Sequence, residues 1–346
     1  MDSLIIPGAK EADPETGAFH ACGHHTHIAS MLGAAIGLCK ANAAKELSGT
    51  AAFIGCPAEE CIELDYRMDL IKSKKIGALG GKPAMIRAGV FDDIDIAAMI
   101  HISSGFNAMD ATAFVKKRVR FIGKAGHAAV PHSGISALNA ANLALHALAL
   151  VRETCSHDPR CRIHGILTKG GDSINVIPDD VRLDYQLRAS SPESLRRISE
   201  KFDRAMKGSA MAVGAQVKIE TVPGYHAMHN DPELYDLYLQ EAKEVCGIDP
   251  DRERFISPEP GSTDMGDVSA IMPAIHPFAP GAAGCGHGAD FHVPDLKKSC
   301  TDMAKIMAFL AIDLLYGGAV LGKKFAAKKK NCMSIPDYIK EMDAMK

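Results

Sequence analysis

No stretch of the 346-residue sequence approaches the ~18–20 uninterrupted apolar residues of a membrane-spanning helix. Basic residues carry no excess. The 39 Lys and Arg face 42 Asp and Glu, a formal net charge of −3, so nucleic acid is not expected as the main partner. Ten cysteines are too few at this length for a disulfide scaffold. Met1 to Lys10 lack the basic-then-apolar pattern of a secretory signal. These absences predict a cytoplasmic protein that spans no membrane. Its special cysteines would serve as metal ligands or nucleophiles. Cys39, Cys56, Cys61, Cys155, Cys161, Cys246, Cys285 and Cys300 have no such context, and most are expected as buried free thiols. What is present is ordinary in bulk: 47% apolar and 23% charged residues, the balance of a globular chain. The length suits about two domains of roughly 150 residues each.

Apolar runs alternate with helical patterns at both ends. Thr50–Ile54, Ile94–Ile100 and a weaker Ala274–Phe278, broken by Pro277, read as strands. Ile28–Leu38, Leu234–Val245 and Met303–Leu315 read as helices. Continuous apolar strands between helices predict an α/β sheet covered on both faces. The middle differs. Arg118–Ile122, Arg162–Thr168, Val181–Leu187 and Gln216–Val222 read as strands. The third of these alternates strictly between apolar and polar residues. Ser136–Glu153 and a segment from Ser191-Pro192-Glu193 to about Met211 read as helices. The order is β-α-β-β-α-β, a ferredoxin-like α+β unit. It is predicted as an insert at residues 112–225, between catalytic-domain parts at 1–111 and 226–346. There is no internal repeat. Lys323–Lys330, with five lysines, is expected as a solvated tail. Met1–Pro7 reads as the end of a strand, an abrupt start for an α/β domain.

Four groups carry chemistry. Cys22-Gly23-His24-His25-Thr26-His27 places a thiol and two or three imidazoles within six residues. Cys and His are common ligands of zinc-like ions, and the glycine lets both side chains converge. Pro57-Ala58-Glu59-Glu60 sets two adjacent carboxylates after an expected strand. One can ligate metal while the other shuttles a proton. His101 follows Ile94–Ile100, and His287 sits in the glycine-rich loop 281–288. Open α/β sheets bind ligands at the carboxyl ends of their strands, where all four groups are expected.

Six motifs then follow in order: Ala21-Cys22-Gly23-His24-x-x-His27, Pro57-Ala58-Glu59-Glu60, Ile100-His101-Ile102-Ser103, Gly126-His127-Ala128-Ala129-x-Pro131, Asn175-Val176-Ile177-Pro178-Asp179 and His287-x-x-Asp290-Phe291. The sequence resembles the metal-dependent amidohydrolases of the aminoacylase and carboxypeptidase-G type. Gly261–Ser269 looks most like the aminobenzoyl-glutamate hydrolase branch. The resemblance implies an α/β catalytic domain with the inserted unit as lid and homodimer contact. It implies two divalent ions, zinc or manganese, held by Cys22, His24, Glu60, His101 and His287. It also implies Glu59 as general base and His127 as oxyanion partner across the dimer. Asn175 and Arg188 lie in the lid, where Arg188 can hold a substrate carboxylate by a bidentate fork. The expected substrate is an N-acyl amino acid, an aminobenzoyl-glutamate-like conjugate or a dipeptide. Position 25 departs from the family: His25 stands where Asp or Asn is usual. Two other readings stand beside this one. One is a catalytically silent metal-binding dimeric relative, and the other is a thiol hydrolase with Cys22 as nucleophile and His24 beside it.

Overall fold

The computed structural model describes residues 3–155, 160–253, 256–258 and 261–345. Its strands are β1 Leu4–Ile5, β2 Ala18–Phe19, β3 Ala97–Ala98, β4 His101–Ser103, β5 Asn107–Asp110, β6 Ala113–Ile122, β7 Arg162–Lys169, β8 Asp180–Ala189, β9 Gln216–Pro223, β10 Ile256–Pro258, β11 Ala274–Ile275 and β12 Pro277–Pro280. Its helices are α1 His24–Lys40, α2 Leu64–Lys72, α3 Gly81–Arg87, α4 Ala137–Glu153, α5 Pro192–Ala212, α6 Pro232–Cys246, α7 Pro250–Glu253, α8 Met265–Ile271, α9 Met303–Leu315, α10 Val320–Ala326 and α11 Ile335–Ala344. Several ends are set by single residues. Ser136 accepts from the Asn139 N–H at 3.2 Å and starts α4. Ser191 does the same for α5, with Pro192 at its first position. Asp231 caps α6 from the Leu234 N–H at 3.0 Å, and Gly247, at φ 70°, ends it.

The chain divides into two compact units. The first joins the residues up to Asp110 to Met228–Pro258 and Thr263–Tyr338. It holds a mixed sheet in the order β10-β5-β12-β4, a parallel pair β11-β3 and an antiparallel pair β1-β2. Its core gathers Ile100, Ile102 and Ala108 with Leu234, Tyr238 and Leu239 of α6 and Met303, Ile306 and Leu310 of α9. The expected continuous strands are broken. Ile94–Ile100 yields only β3, and its ladder resumes at His101. Ala274–Phe278 splits into β11 and β12 where Pro277 interrupts. Thr50–Ile54 is no strand: it has no ladder partner among the described residues, and most of it is exposed. Apolar content gives a segment β propensity but not the neighbour that would bond its backbone. At the start, Leu4–Ile5 pairs with Ala18–Phe19, and Met1 and Asp2 lie outside the described residues.

Two further expectations are overturned. The lysine run is no solvated tail. α10 and the turn after it bring Lys324 to Glu233, Lys328 to Asp231 at 2.7 Å, and Lys329 to the Ile94 carbonyl at 2.5 Å. Nor is any cysteine fully buried. Cys39, Cys246 and Cys285 are exposed and the rest half-buried. Of these, Cys155 and Cys161 pack against the core of the second unit from just after α4 and just before β7.

The second unit is Ala111–Ala227 with short segments around Ser262 and from Ile339 onward. It runs β6-α4-β7-β8-α5-β9, and its antiparallel sheet has the order β7-β8-β6-β9. Alternation along β8 buries Val181, Leu183, Tyr185, Leu187 and Ala189 on one face. Against that face α4 sets Ala137, Ala140, Ala141, Ala144 and Leu148. α5 sets Leu195, Ile198, Phe202 and Met206. The β-α-β-β-α-β reading of this stretch therefore matches its elements.

Candidate metal centre

Gly23 precedes α1 with φ 81°, and a Cβ there would meet Ile102 Cδ1 at 2.4 Å. Only glycine lets the chain turn into the helix this close to β4. The turn places Cys22 Sγ 3.4 Å from His101 Nε2. His24 and His27 lie three residues apart on one helical face, their ring centroids 5.4 Å apart. Their roles separate by hydrogen bonding. His27 Nε2 accepts the Ile102 N–H at 3.1 Å and so has no lone pair left there for a metal. Burial, then His101, pushes its pKa well down. His27 stands as a neutral pin between α1 and β4.

His101 is held in one tautomer. Its Nδ1 lies 2.7 Å from the Ile102 carbonyl. A carbonyl only accepts, so Nδ1 carries the proton and the Nε2 lone pair faces Cys22. Burial pushes its pKa down to about 4, so the ring is neutral at neutral pH, the ligating form.

Glu59 and Glu60 sit on an irregular strap between Thr50 and α2. Ala58 before them is left-handed, at φ 54°. Successive carboxylates then address different histidines. Glu59 Oε2 is 3.8 Å from His24 Nε2, and Glu60 Oε1 is 3.1 Å from His287 Nε2. Burial, then the Asp264 carboxylate, raises Glu59 to about 7, while Lys82 opposes. His287, itself at φ 63°, is tied by its N–H to the Ala21 carbonyl at 2.9 Å. Its hydrogen bond to Glu60 raises its pKa.

The donors overlap in three groups: Cys22 with His24 and His101, Cys22 with Glu60 and His287, and His24 with Glu59 and Glu60. In each group the ligand atoms lie within 4.8 Å of one another. Thiolate, imidazole and carboxylate in this mixture suit zinc-like divalent ions, and the fixed His101 tautomer fits that use. His25 is not in these groups. Its ring stands 4.7 Å from His20, and burial lowers its pKa.

His127, Asn175 and Arg188 belong to the second unit. His127 and Asn175 come together, since the Ala128 N–H donates to the Asn175 carbonyl at 3.0 Å. His127 Nδ1 accepts from the Ala129 N–H at 3.0 Å. Its ring is exposed. Arg188 donates to Ser262 Oγ at 2.6 Å and lies over the Phe114 ring, 5.7 Å from its centroid.

The profile of peptidase family M20/M25/M40 matches residues 1–312. The chain belongs to this family. The M20 chain is therefore a peptidase or amidohydrolase acting on amide bonds. It is 30% identical to the Xaa-Arg dipeptidase of Mus musculus over 87% of this chain and 68% of that protein. It is also 30% identical to one of the chains of the p-aminobenzoyl-glutamate hydrolase of Escherichia coli, over 73% of this chain and 55% of that one. The aligned part thus spans between about half and two thirds of these relatives. Its fold resembles a dinuclear metal binding peptidase of the M20 family from Bacillus subtilis, with a TM-score of 0.63 and 22% identity, over 91% of this chain and 79% of that one.

Sequence reasoning did not pick out the groups behind this candidate site. Lys82 and Asp264 form a buried ion pair, 3% and 0% exposed, and the Lys82 N–H also donates to Asp264 at 3.0 Å. His276, pushed down to about 3 by burial, stands 5.7 Å from His101. For the first, the signals were a lysine inside an otherwise apolar stretch and the place of Asp264 within Gly261–Ser269.

Proposed function

We propose that this chain hydrolyses the amide bond of N-acyl amino acids, aminobenzoyl-glutamate-like conjugates or dipeptides in the cytoplasm. Cys22, His24, Glu60, His101 and His287 would hold two divalent ions, zinc or manganese. When bound, such ions polarise the amide carbonyl and acidify a water. Glu59 takes the proton from that water at its carboxylate and returns it to the leaving amine. Its elevated pKa suits both halves of that exchange near neutral pH. His127 of the partner subunit donates to the developing oxyanion, Asn175 and Arg188 receive the substrate carboxylate, and the second unit serves as lid and dimer contact. One observation carries the reading: five ligand-type side chains from four separate stretches converge, and a raised carboxylate stands beside them. The names of the mouse and Escherichia coli relatives support the substrate classes.

The test joins metal analysis, chelation and a panel of N-acyl amino acids, dipeptides and aminobenzoyl-glutamate. Activity should vanish with a chelator and return with zinc or manganese. Glu59→Gln should lower turnover by about 10²–10⁴-fold, the general-base range, with metal content retained. Activity that ignores the chelator and is killed by alkylation would instead assign a thiol hydrolase. Metal binding without turnover on any substrate would assign a silent relative.

A further inference from the structure

The strap bearing Glu59 and Glu60 has neither helix nor strand to hold it. Yet Ala58, directly before the two carboxylates, is held in a left-handed conformation that an alanine adopts only under constraint. The constraint is visible. The Ala58 carbonyl accepts two donors, the Gly81 N–H at 3.1 Å and Arg67 Nη1 at 3.2 Å. Arg67, 7% exposed, reaches from α2, and the same Nη1 also donates to the Leu79 carbonyl at 2.9 Å. Its guanidinium thus joins the strap to the segment that enters α3. Gly81 sits so close that a Cβ would fall 1.6 Å from the Pro57 carbonyl oxygen. The next residue, Lys82, is anchored through Asp264 at the entry of α8.

We infer that Arg67 is a positioning residue for the paired carboxylates. By fixing the Ala58 carbonyl with Gly81, it holds the peptide in the orientation that sends Glu59 to His24 and Glu60 to His287. A buried arginine suits this task because its planar fork offers several donors in fixed directions, whereas an ammonium is a single point. The inference rests on the roles given above to Glu59 and Glu60. Its consequence is specific. Loss of Arg67 frees Ala58 to relax toward right-handed backbone, and both carboxylates swing together. Metal affinity and turnover then fall jointly, while substrate affinity, set elsewhere, is spared.

The experiment uses the full chain with Arg67→Met and Arg67→Lys. Co²⁺ affinity is measured by competition with a chromophoric chelator. kcat and KM are measured at saturating metal, and the folded fraction by thermal unfolding. For folded Arg67→Met, Co²⁺ affinity should drop about 10–100-fold, the range for losing a group that orients ligands. kcat should drop by a similar factor, with KM within about threefold of the parent. Arg67→Lys should recover part of both. Co²⁺ affinity and kcat within about twofold of the parent, or losses that only track the folded fraction, overturn the inference. Should Arg67→Met fail to fold, Arg67→Lys decides by the same two readouts. If the parent itself hydrolyses nothing in the panel, the proposed activity falls. The Co²⁺ arm still tests the positioning role.

Discussion

Cys22 is the softest donor of the proposed ligand set and touches two of its three groups. Replacing it by serine removes the thiolate, because a serine hydroxyl stays protonated at neutral pH. Cys22→Ser should therefore weaken zinc binding rather than merely slow the chemistry. A metal titration checks this, and unchanged stoichiometry and affinity would remove Cys22 from the set. At this scale the candidate donors were legible, since Cys22, His24, Glu60, His101 and His287 each stand in a recognisable motif and their donor atoms lie close together. Their division of labour was not. His24 and His27 look alike in the sequence, and only the Ile102 N–H on His27 Nε2 sets the pin apart from the candidate ligand. Lys82 and Asp264 lie 182 residues apart, so no local pattern joins them.

Helices α6 and α9 pack together and bring Glu241 beside Asp313. Burial, then a hydrogen bond to Asp313, raises Glu241 to about 7. The folded state thus binds this proton more tightly than the unfolded chain does. The benefit is complete below the ordinary glutamate range and is lost as pH rises toward and through 7. Glu241→Gln should flatten the fall in thermal midpoint between the two ends of that window. The effect should be modest, because the group is half-exposed and water screens it. Identical pH dependence in parent and variant would show that the pair carries no linkage. Five helices were legible, those that became α1, α4, α5, α6 and α9, while the short α2, α3, α7, α8, α10 and α11 were not read. Ser136 and Ser191 announce α4 and α5 because a cap is local, within three residues. Strands depend on distant partners. β8 was readable because its pleat buries one face completely. Thr50–Ile54 was misread because nothing in its five residues reveals the absence of a partner.

For the molecule as a whole, the order of six motifs made the family legible where no single motif could. The substrate is another matter, and Arg188 tests its class. A charge-assisted fork on a substrate carboxylate is worth about 1.5–3 kcal/mol. Arg188→Ala should then lower kcat/KM by roughly 10–150-fold on a free acid. The loss should vanish on the same amide with its carboxylate esterified. Equal losses on acid and ester would mean that Arg188, bonded to Ser262 and resting on Phe114, supports packing alone. The lysine-rich stretch near the carboxyl end has a consequence for handling the protein. Five lysines in eight residues look like the first place trypsin would cut. A protease, however, needs its substrate extended in the active-site cleft. Here the stretch is wound into helical turns, and Lys324, Lys328 and Lys329 bind Glu233, Asp231 and the Ile94 carbonyl. Cleavage must wait for those turns to unwind and release their hold on two distant parts of the chain. The most basic segment of the protein is thereby shielded from the enzyme that reads basic residues.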